Sequence, residues 1–349
     1  MGGCLAMKCS VFLGKEKLET ELRELPEIQE NEILVQVMAA GICGTDVHIY
    51  NGEKGSADVN PPVVLGHEFA GKVVKTGSGI TQFREGDKVT VDPNIYCGKC
   101  GPCRNGKKQL CENLRAIGVN QDGGFEQYCV VPEQQAFLLN DDVDYEEGAM
   151  AEPVACCLHG IENIEIKEGD TVCVVGGGAI GLIMVQLAKL RGAAKVVLSE
   201  PVEMRRKIAL AIGADGAVNP MQGDLLDQIE AAVGTRQIDV VIECVGRTIA
   251  VEQAFAIAGK GASILLFSVP QEDAIFGLKL FDVYKKELKI YGSFINPDTH
   301  FRAAQLINSG RLNLKPLITH RYDLEHVADA IKKQMQNDSI KVVVLPNQE

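Results

Sequence analysis

The run Gly176-Gly-Gly-Ala-Ile-Gly181 follows the apolar stretch Thr171 to Val175 and opens an apolar-periodic segment reaching Arg191. A strand that turns on glycines directly into a helix commits this part of the chain to a βαβ unit. The first glycine, Gly176, permits the tight turn. Gly178 lets the backbone approach a pyrophosphate, and Gly181 lets the helix pack close to the strand, while the helix N-terminus attracts the anion. Glu200, 24 residues past Gly176 at the end of the next strand, is placed to accept hydrogen bonds from both hydroxyls of an adenosine ribose and to repel a 2′-phosphate. The reading is therefore a dinucleotide site that prefers NAD to NADP. Arg205 and Arg206 stand near enough to take such a phosphate, although a solvated helix face is the plainer reading of that pair.

The alternation continues downstream. Apolar runs at 195–198, 239–242, 263–267 and 289–291 read as buried strands, and 180–191, 204–212, 225–233 and 248–258 read as helices between them. Strand and helix in turn imply an α/β fold, a doubly wound parallel sheet covered on both faces. The N-terminal part reads differently: 32–39, 69–75, 88–91 and 125–131 look like strands broken by Gly-rich and Pro-rich turns, which predicts a mostly β domain. After the last parallel strand come helical patterns at 297–309 and 324–335 and a closing strand at 341–345, outside the α/β repeat. The tail is expected to return to the first domain. A chain of 349 residues is long enough for about two domains at roughly 150 residues each.

With 46% hydrophobic and 23% charged residues, the chain falls outside the composition of disordered segments. A net charge of -12 repels a phosphate backbone, and no basic patch offsets it, so nucleic acid is excluded as a partner. No apolar run reaches the roughly 18 residues of a membrane span, and the start lacks the apolar core of a signal peptide. A cytoplasmic protein is expected.

Four of the twelve cysteines form the pattern Cys97-x2-Cys100-x2-Cys103-x7-Cys111. Such spacing brings four thiols to one ion under reducing conditions and argues against a disulfide framework. A structural zinc with no open position suits it, and so does an iron–sulfur cluster. A second set is dispersed: Cys43 in GICGTD, His67 and Glu68 in GHE, and Glu152 in AEP. Thiolate, imidazole and carboxylate are all zinc ligands, and a set leaving one position open suits catalysis. Spacing does not bring them together, and singly a buried thiol, a core histidine and a solvated carboxylate are plainer readings.

Taken with their order, GICGTDVH, GHEFAG, the four-cysteine loop, AEP and GGGAIG resemble the zinc-containing medium-chain dehydrogenase/reductase family over nearly the whole chain. The resemblance implies a GroES-like catalytic domain at 1–153, completed by 294–349, with a Rossmann NAD-binding domain at 154–293 inserted. It favours zinc in the cysteine loop and implies two Zn2+ per chain. The catalytic ion would be held by Cys43, His67 and Glu68, with Glu152 ligating directly or through water, and Thr45 and His48 would relay a proton to solvent. Further cofactor contacts are assigned to Ile180, Arg205, Val245, Ser268, Val269, Ser293 and Phe294. An acidic residue at 152 points to the polyol and threonine branch, hence to hydride transfer from a secondary alcohol of a small polyol-like substrate to NAD. Two departures bear on the substrate: Ile295 stands where sorbitol dehydrogenases have an arginine, and Asn94 where threonine dehydrogenases have a histidine. A polyol phosphate, short diol or L-threonine is the alternative substrate, and a non-catalytic NAD-binding protein the alternative class. The pocket walls are expected from loops 50–61 and 294–299, and relatives suggest a dimer or tetramer.

Overall fold

The computed structural model describes residues 6–53 and 59–347. Residues 54–58, within the 50–61 loop expected to wall the pocket, lie outside them. The chain divides into two compact units, one of Met1–Ala155 with Asn296–Glu349 and one of Cys156–Ile295.

The first unit is mostly β. Its centre is the strand Glu32–Gly41, which pairs antiparallel with Glu68–Thr76, Tyr128–Pro132 and the C-terminal strand Lys341–Val344. Lys341–Val344 also pairs with Ile318–Tyr322, so the tail does return to the first sheet. Apolar residues on the inner face, among them Ile33, Val35, Phe69, Val73 and Val342, are fully buried and form its core. Register matters more here than composition. Gly41 stands opposite both Glu68 and Val343, which puts the end of one strand, the start of a second and the chain's last strand side by side.

The second unit holds a six-stranded, all-parallel sheet. From one edge its strands are Gly216–Val218, Lys195–Ser199, Thr171–Val175, Val240–Glu243, Ser263–Leu266 and Lys289–Gly292. The chain winds one way from Thr171–Val175 and then crosses to Val240–Glu243 on its other side, the doubly wound order with a switch point between those two strands. Thr171–Val175 is buried along its whole length, as a strand covered on both faces must be. Helices Ala179–Leu190, Glu203–Ala211, Leu225–Val233 and Thr248–Ile257 connect the strands. The fold is thus a Rossmann-type sheet inserted into a mostly β domain.

Several elements were not read from the sequence: the hairpin Ala6–Gly14 with Lys17–Glu24, the short strand Gly216–Val218, the strand Ile318–Tyr322 and the helices Gly44–Tyr50, Ala151–Glu162 and Leu280–Lys286. No helix among the described residues is long and apolar enough to cross a membrane.

Candidate metal centre and dinucleotide crevice

Cys43 lies two residues beyond Gly41 and caps the helix Gly44–Tyr50, its backbone N–H donating to Asp46 Oδ2 at 2.8 Å. Glu68 opens the paired strand and His67 immediately precedes it. Ligating atoms of Cys43, His67 and Glu68 lie within 4.8 Å of one another, and the histidine and glutamate are buried. Gly41 makes room for this: a Cβ there would stand 2.3 Å from Glu68 Oε2.

Two buried charges that sequence reading missed surround the group. Asp46, fully buried, turns Oδ1 toward His67 Nδ1 at 3.6 Å, and neither of those atoms has a hydrogen-bond partner among the described residues. Lys341 donates to Glu68 Oε2 at 2.6 Å and to the Ile42 carbonyl at 3.0 Å. Burial works to lower the His67 pKa, but the charges of Asp46 and Cys43 outweigh it and hold the imidazole well above its usual value. Burial and the neighbouring Glu68 push the Cys43 thiol up. Lys341 stays charged, since Glu68, Cys43 and Glu152 more than offset its desolvation. A half-buried thiol beside a buried imidazole and carboxylate, with orphaned polar atoms behind them, fits a divalent cation, which satisfies all three at once. Glu152, also buried, is close enough to act on Lys341 yet stands outside the compact group of three.

Thr45 and His48 share one face of the helix at a three-residue spacing. Among the described residues no hydrogen bond joins them; His48 Nδ1 instead meets Glu53 Oε2 at 2.6 Å.

Cys97, Cys100, Cys103 and Cys111 form a second group, their sulfur atoms all within 4.8 Å of one another. Backbone N–H groups of Lys99 and Cys100 point at Cys97 and lower its thiol to about 6, whereas burial and the neighbouring Cys100 push Cys103 up to about 12. A loop that already stabilises one thiolate is prepared for a cation. Its Lys108 pairs with Asp298 at 2.7 Å. Asn94 is tied down rather than open to a ligand: its amide donates to Asn296 Oδ1 at 2.5 Å, beside buried Asp92. Ile295 adopts φ 45, an uncommon conformation for a β-branched residue.

In the second unit, the cofactor candidates gather at the C-terminal edge of the parallel sheet. Gly176 has φ 101, and a Cβ on it would meet Val245 Cγ2 at 2.5 Å; a Cβ on Gly181 would stand 1.8 Å from the Gly176 carbonyl, and Gly178 faces open space as the cap of the helix Ala179–Leu190 that carries Ile180. Glu200 is buried. Its Oε2 accepts the Gly177 N–H at 2.6 Å and its Oε1 the Val202 N–H at 2.8 Å, so each oxygen retains one lone pair for a ribose hydroxyl. Arg205 stands 3.8 Å from Glu200, and Arg206 donates to the carbonyls of Glu200 and Pro201. The solvated helix face expected for these arginines is replaced by two side chains packed around the acid. Val245, Ser268 and Val269 lie past the strands Val240–Glu243 and Ser263–Leu266, and Ser293 and Phe294 past the last; the Ser293 hydroxyl is buried without a hydrogen-bond partner among the described residues.

Profiles of two domains match the chain: the alcohol dehydrogenase GroES-like domain over residues 29–141 and the zinc-binding dehydrogenase domain over 179–309. Sorbitol dehydrogenase of Bacillus subtilis is 33% identical, with 98% of each chain covered. L-Threonine 3-dehydrogenase of Pyrococcus abyssi is 35% identical over 90% of each. A Sinorhizobium meliloti chain described as a zinc-binding dehydrogenase and bound to NADP is 40% identical, covers 98% of this chain and 100% of its own, and superposes with a TM-score of 0.93. With its parallel sheet, its inserted topology and these relatives, the chain is an alcohol-oxidising enzyme of the zinc-containing medium-chain dehydrogenase/reductase family.

Proposed function

We propose that this enzyme oxidises a secondary hydroxyl of a small polyol-like substrate to a ketone, with NAD as hydride acceptor. The carbinol carbon gives up a hydride to the nicotinamide and the hydroxyl proton goes to solvent, so the reaction balances. The reading rests on one observation: the compact Cys43–His67–Glu68 group, its imidazole and carboxylate buried, with buried, acidic Glu152 outside it instead of a further thiol. Cys43, His67 and Glu68 would hold a zinc ion which, when bound, acidifies the alcohol so that hydride transfer proceeds near neutral pH. Thr45 orients the hydroxyl, and His48, whose side chain is 28% exposed and paired with Glu53, passes the proton outward. Asp46 and Lys341 fix the orientation of His67 and Glu68. The four-cysteine loop takes a second, structural zinc. Glu200 receives the adenosine ribose, and its buried carboxylate favours NAD, although the NADP-bound relative and the two arginines around Glu200 make the phosphate form the one to test against it.

The catalytic role belongs to residues 1–153 and 294–349, and the cofactor role to 154–293. A tetramer in the cytoplasm is the assembly and location that fit. Ile295 in place of an arginine argues against sorbitol, and the Asn94 amide, engaged by Asn296, argues against threonine. A polyol phosphate or short diol is the second reading. The test is NADH formation by zinc-loaded protein over polyols, polyol phosphates, diols and threonine, with NAD and NADP in parallel and after chelation. Chelator-sensitive turnover of one polyol class supports the proposal. Turnover only of threonine, or only with NADP, overturns the corresponding part.

A further inference from the structure

Glu243, which ends the strand Val240–Glu243, is 1% exposed. Three donors converge on its two oxygens. Oε1 accepts the backbone N–H of Val245 at 2.7 Å and of Gly246 at 2.9 Å, and Oε2 accepts the Ser268 hydroxyl. These donors come from two loops, one following Val240–Glu243 and the other following Ser263–Leu266.

Both loops lean on their neighbours. Val245 occupies the space that a Cβ on Gly176 would need, at 2.5 Å, and the Cys244 N–H donates to the Val175 carbonyl at 2.9 Å. Gly246 packs on the Val269 carbonyl, 2.9 Å from where its own Cβ would stand. One carboxylate therefore sets three adjacent strand ends relative to each other: the glycine loop, the Val245 loop and the Ser268–Val269 loop.

Topology says which half of a dinucleotide these loops serve. With the pyrophosphate at the glycine loop and the adenosine ribose at Glu200 on the Lys195–Ser199 side, the remaining half runs across the switch point, over Val240–Glu243 and Ser263–Leu266. We propose that Glu243 is a positioning residue for the nicotinamide half of the cofactor, acting through the Val245–Gly246 backbone and the Ser268 hydroxyl. This rests on the dinucleotide reading above. A glutamine at 243 keeps the size but offers one acceptor oxygen for three donors, and its amide is a donor facing a donor. A charged acceptor in a dry site also bonds more strongly than a neutral one.

The experiment compares NADH with ADP-ribose, which carries the adenosine and both phosphates but no nicotinamide, by fluorescence and calorimetric titration of the zinc-loaded enzyme. In Glu243→Gln the Kd for NADH rises about tenfold, the loss of roughly one charged hydrogen bond, while that for ADP-ribose moves less than about twofold. Ser268→Ala shifts the same ratio in the same direction by a smaller factor, and the KM for NAD follows the NADH ratio. Equal weakening of both ligands in a folded variant marks a merely structural role and overturns the proposal, as does no change in either. Should Glu243→Gln not fold, an unchanged ratio in Ser268→Ala overturns it alone. Wild-type protein that binds neither ligand overturns the dinucleotide reading itself, and this proposal with it.

Discussion

Lys341 Nζ stands 2.6 Å from Glu68 Oε2, and both side chains are buried. The lysine belongs to the last strand of the chain and Glu68 to a strand more than 270 residues earlier, joined through the register of Gly41. The same ammonium holds the Ile42 carbonyl, so it ties together the two segments that deliver Cys43 and Glu68. Removing one partner of a buried pair leaves the other charge uncompensated. Lys341→Met is expected to destabilise the metal-free enzyme by about 3–5 kcal/mol. Zinc then meets a carboxylate with no competing cation, so zinc raises the Tm of the variant more than that of the wild type. Calorimetry with and without the metal checks this; equal zinc-induced shifts would show that Lys341 does not compete with the metal for Glu68.

Asp46 acts on His67 in the opposite sense, backing the ring instead of competing with the metal for it. Its Oδ2 takes the Cys43 N–H, and its Oδ1 faces the imidazole Nδ1, leaving the far ring nitrogen for a metal. Asp46→Asn retains an oxygen for the helix cap but removes the charge behind the ring. Outer partners of this kind are worth about 10–100-fold in metal affinity, and that loss is expected here in competition with a chromophoric chelator. An unchanged zinc affinity would count against any role for Asp46 at the metal.

Two separate groups of metal-ligating side chains imply a simple stoichiometry. Elemental analysis of the wild type should give two zinc ions per chain, and Cys43→Ser and Cys103→Ser should each give one. The two variants then diverge: Cys43→Ser lowers the Tm less than Cys103→Ser does and loses more than about a hundredfold in turnover, since an acidified alcohol is worth several kcal/mol. Cys103→Ser lowers the Tm, because the loop from Cys97 to Cys111 has only Cys103 well buried to hold it. One zinc per wild-type chain would reassign the loop.

What could be read from the sequence was local or periodic. Gly176 to Gly181 announces its turn within six residues, and the buried strands of the parallel sheet are continuous apolar runs. Cys43, His67 and Glu68 were named as candidates by residue type, but their convergence depends on antiparallel register, which no local pattern encodes. Asp46 and Lys341 gave no signal at all, one being an ordinary acid in a helix's first turn and the other a lysine opening a strand. The hairpin strand Lys17–Glu24 escaped because its alternation runs between half-buried and exposed residues and so lacks an apolar face. Arg205 and Arg206 misled in the opposite direction, since only the fold turns them onto Glu200.

Away from both sites, buried acids and a buried histidine set a pH dependence of stability. Burial, with the charge of Asp122 adding to it, pushes Glu126 from 4.5 up to about 8, against the opposing effects of the Cys9 and Cys129 thiols and of Arg23. Burial raises Asp92 from 3.8 to about 6, although Asn94 and Asn296 donate to it, and burial lowers His300 from 6.5 to about 3. A carboxyl raised on folding binds its proton more tightly in the native state, so stability falls as pH rises from the unfolded value to the folded one. His300 has the opposite sign, but its contribution is complete above pH 6.5, and that of Asp92 is complete above about 6. Between pH 6.5 and 8 Glu126 is then the one of the three whose proton count still differs between the states. At about 1.4 kcal/mol per pH unit, the share of stability that Glu126 contributes is expected to fall by about 2 kcal/mol across that window. Glu126→Gln cannot titrate and should remove this share of the change while leaving the change below pH 6 in place. Denaturant unfolding of both proteins at pH 6.5 and 8 isolates the Glu126 share as their difference, and a variant whose stability changes between the two values as much as the wild type's would mean that Glu126 is not held protonated in the native state.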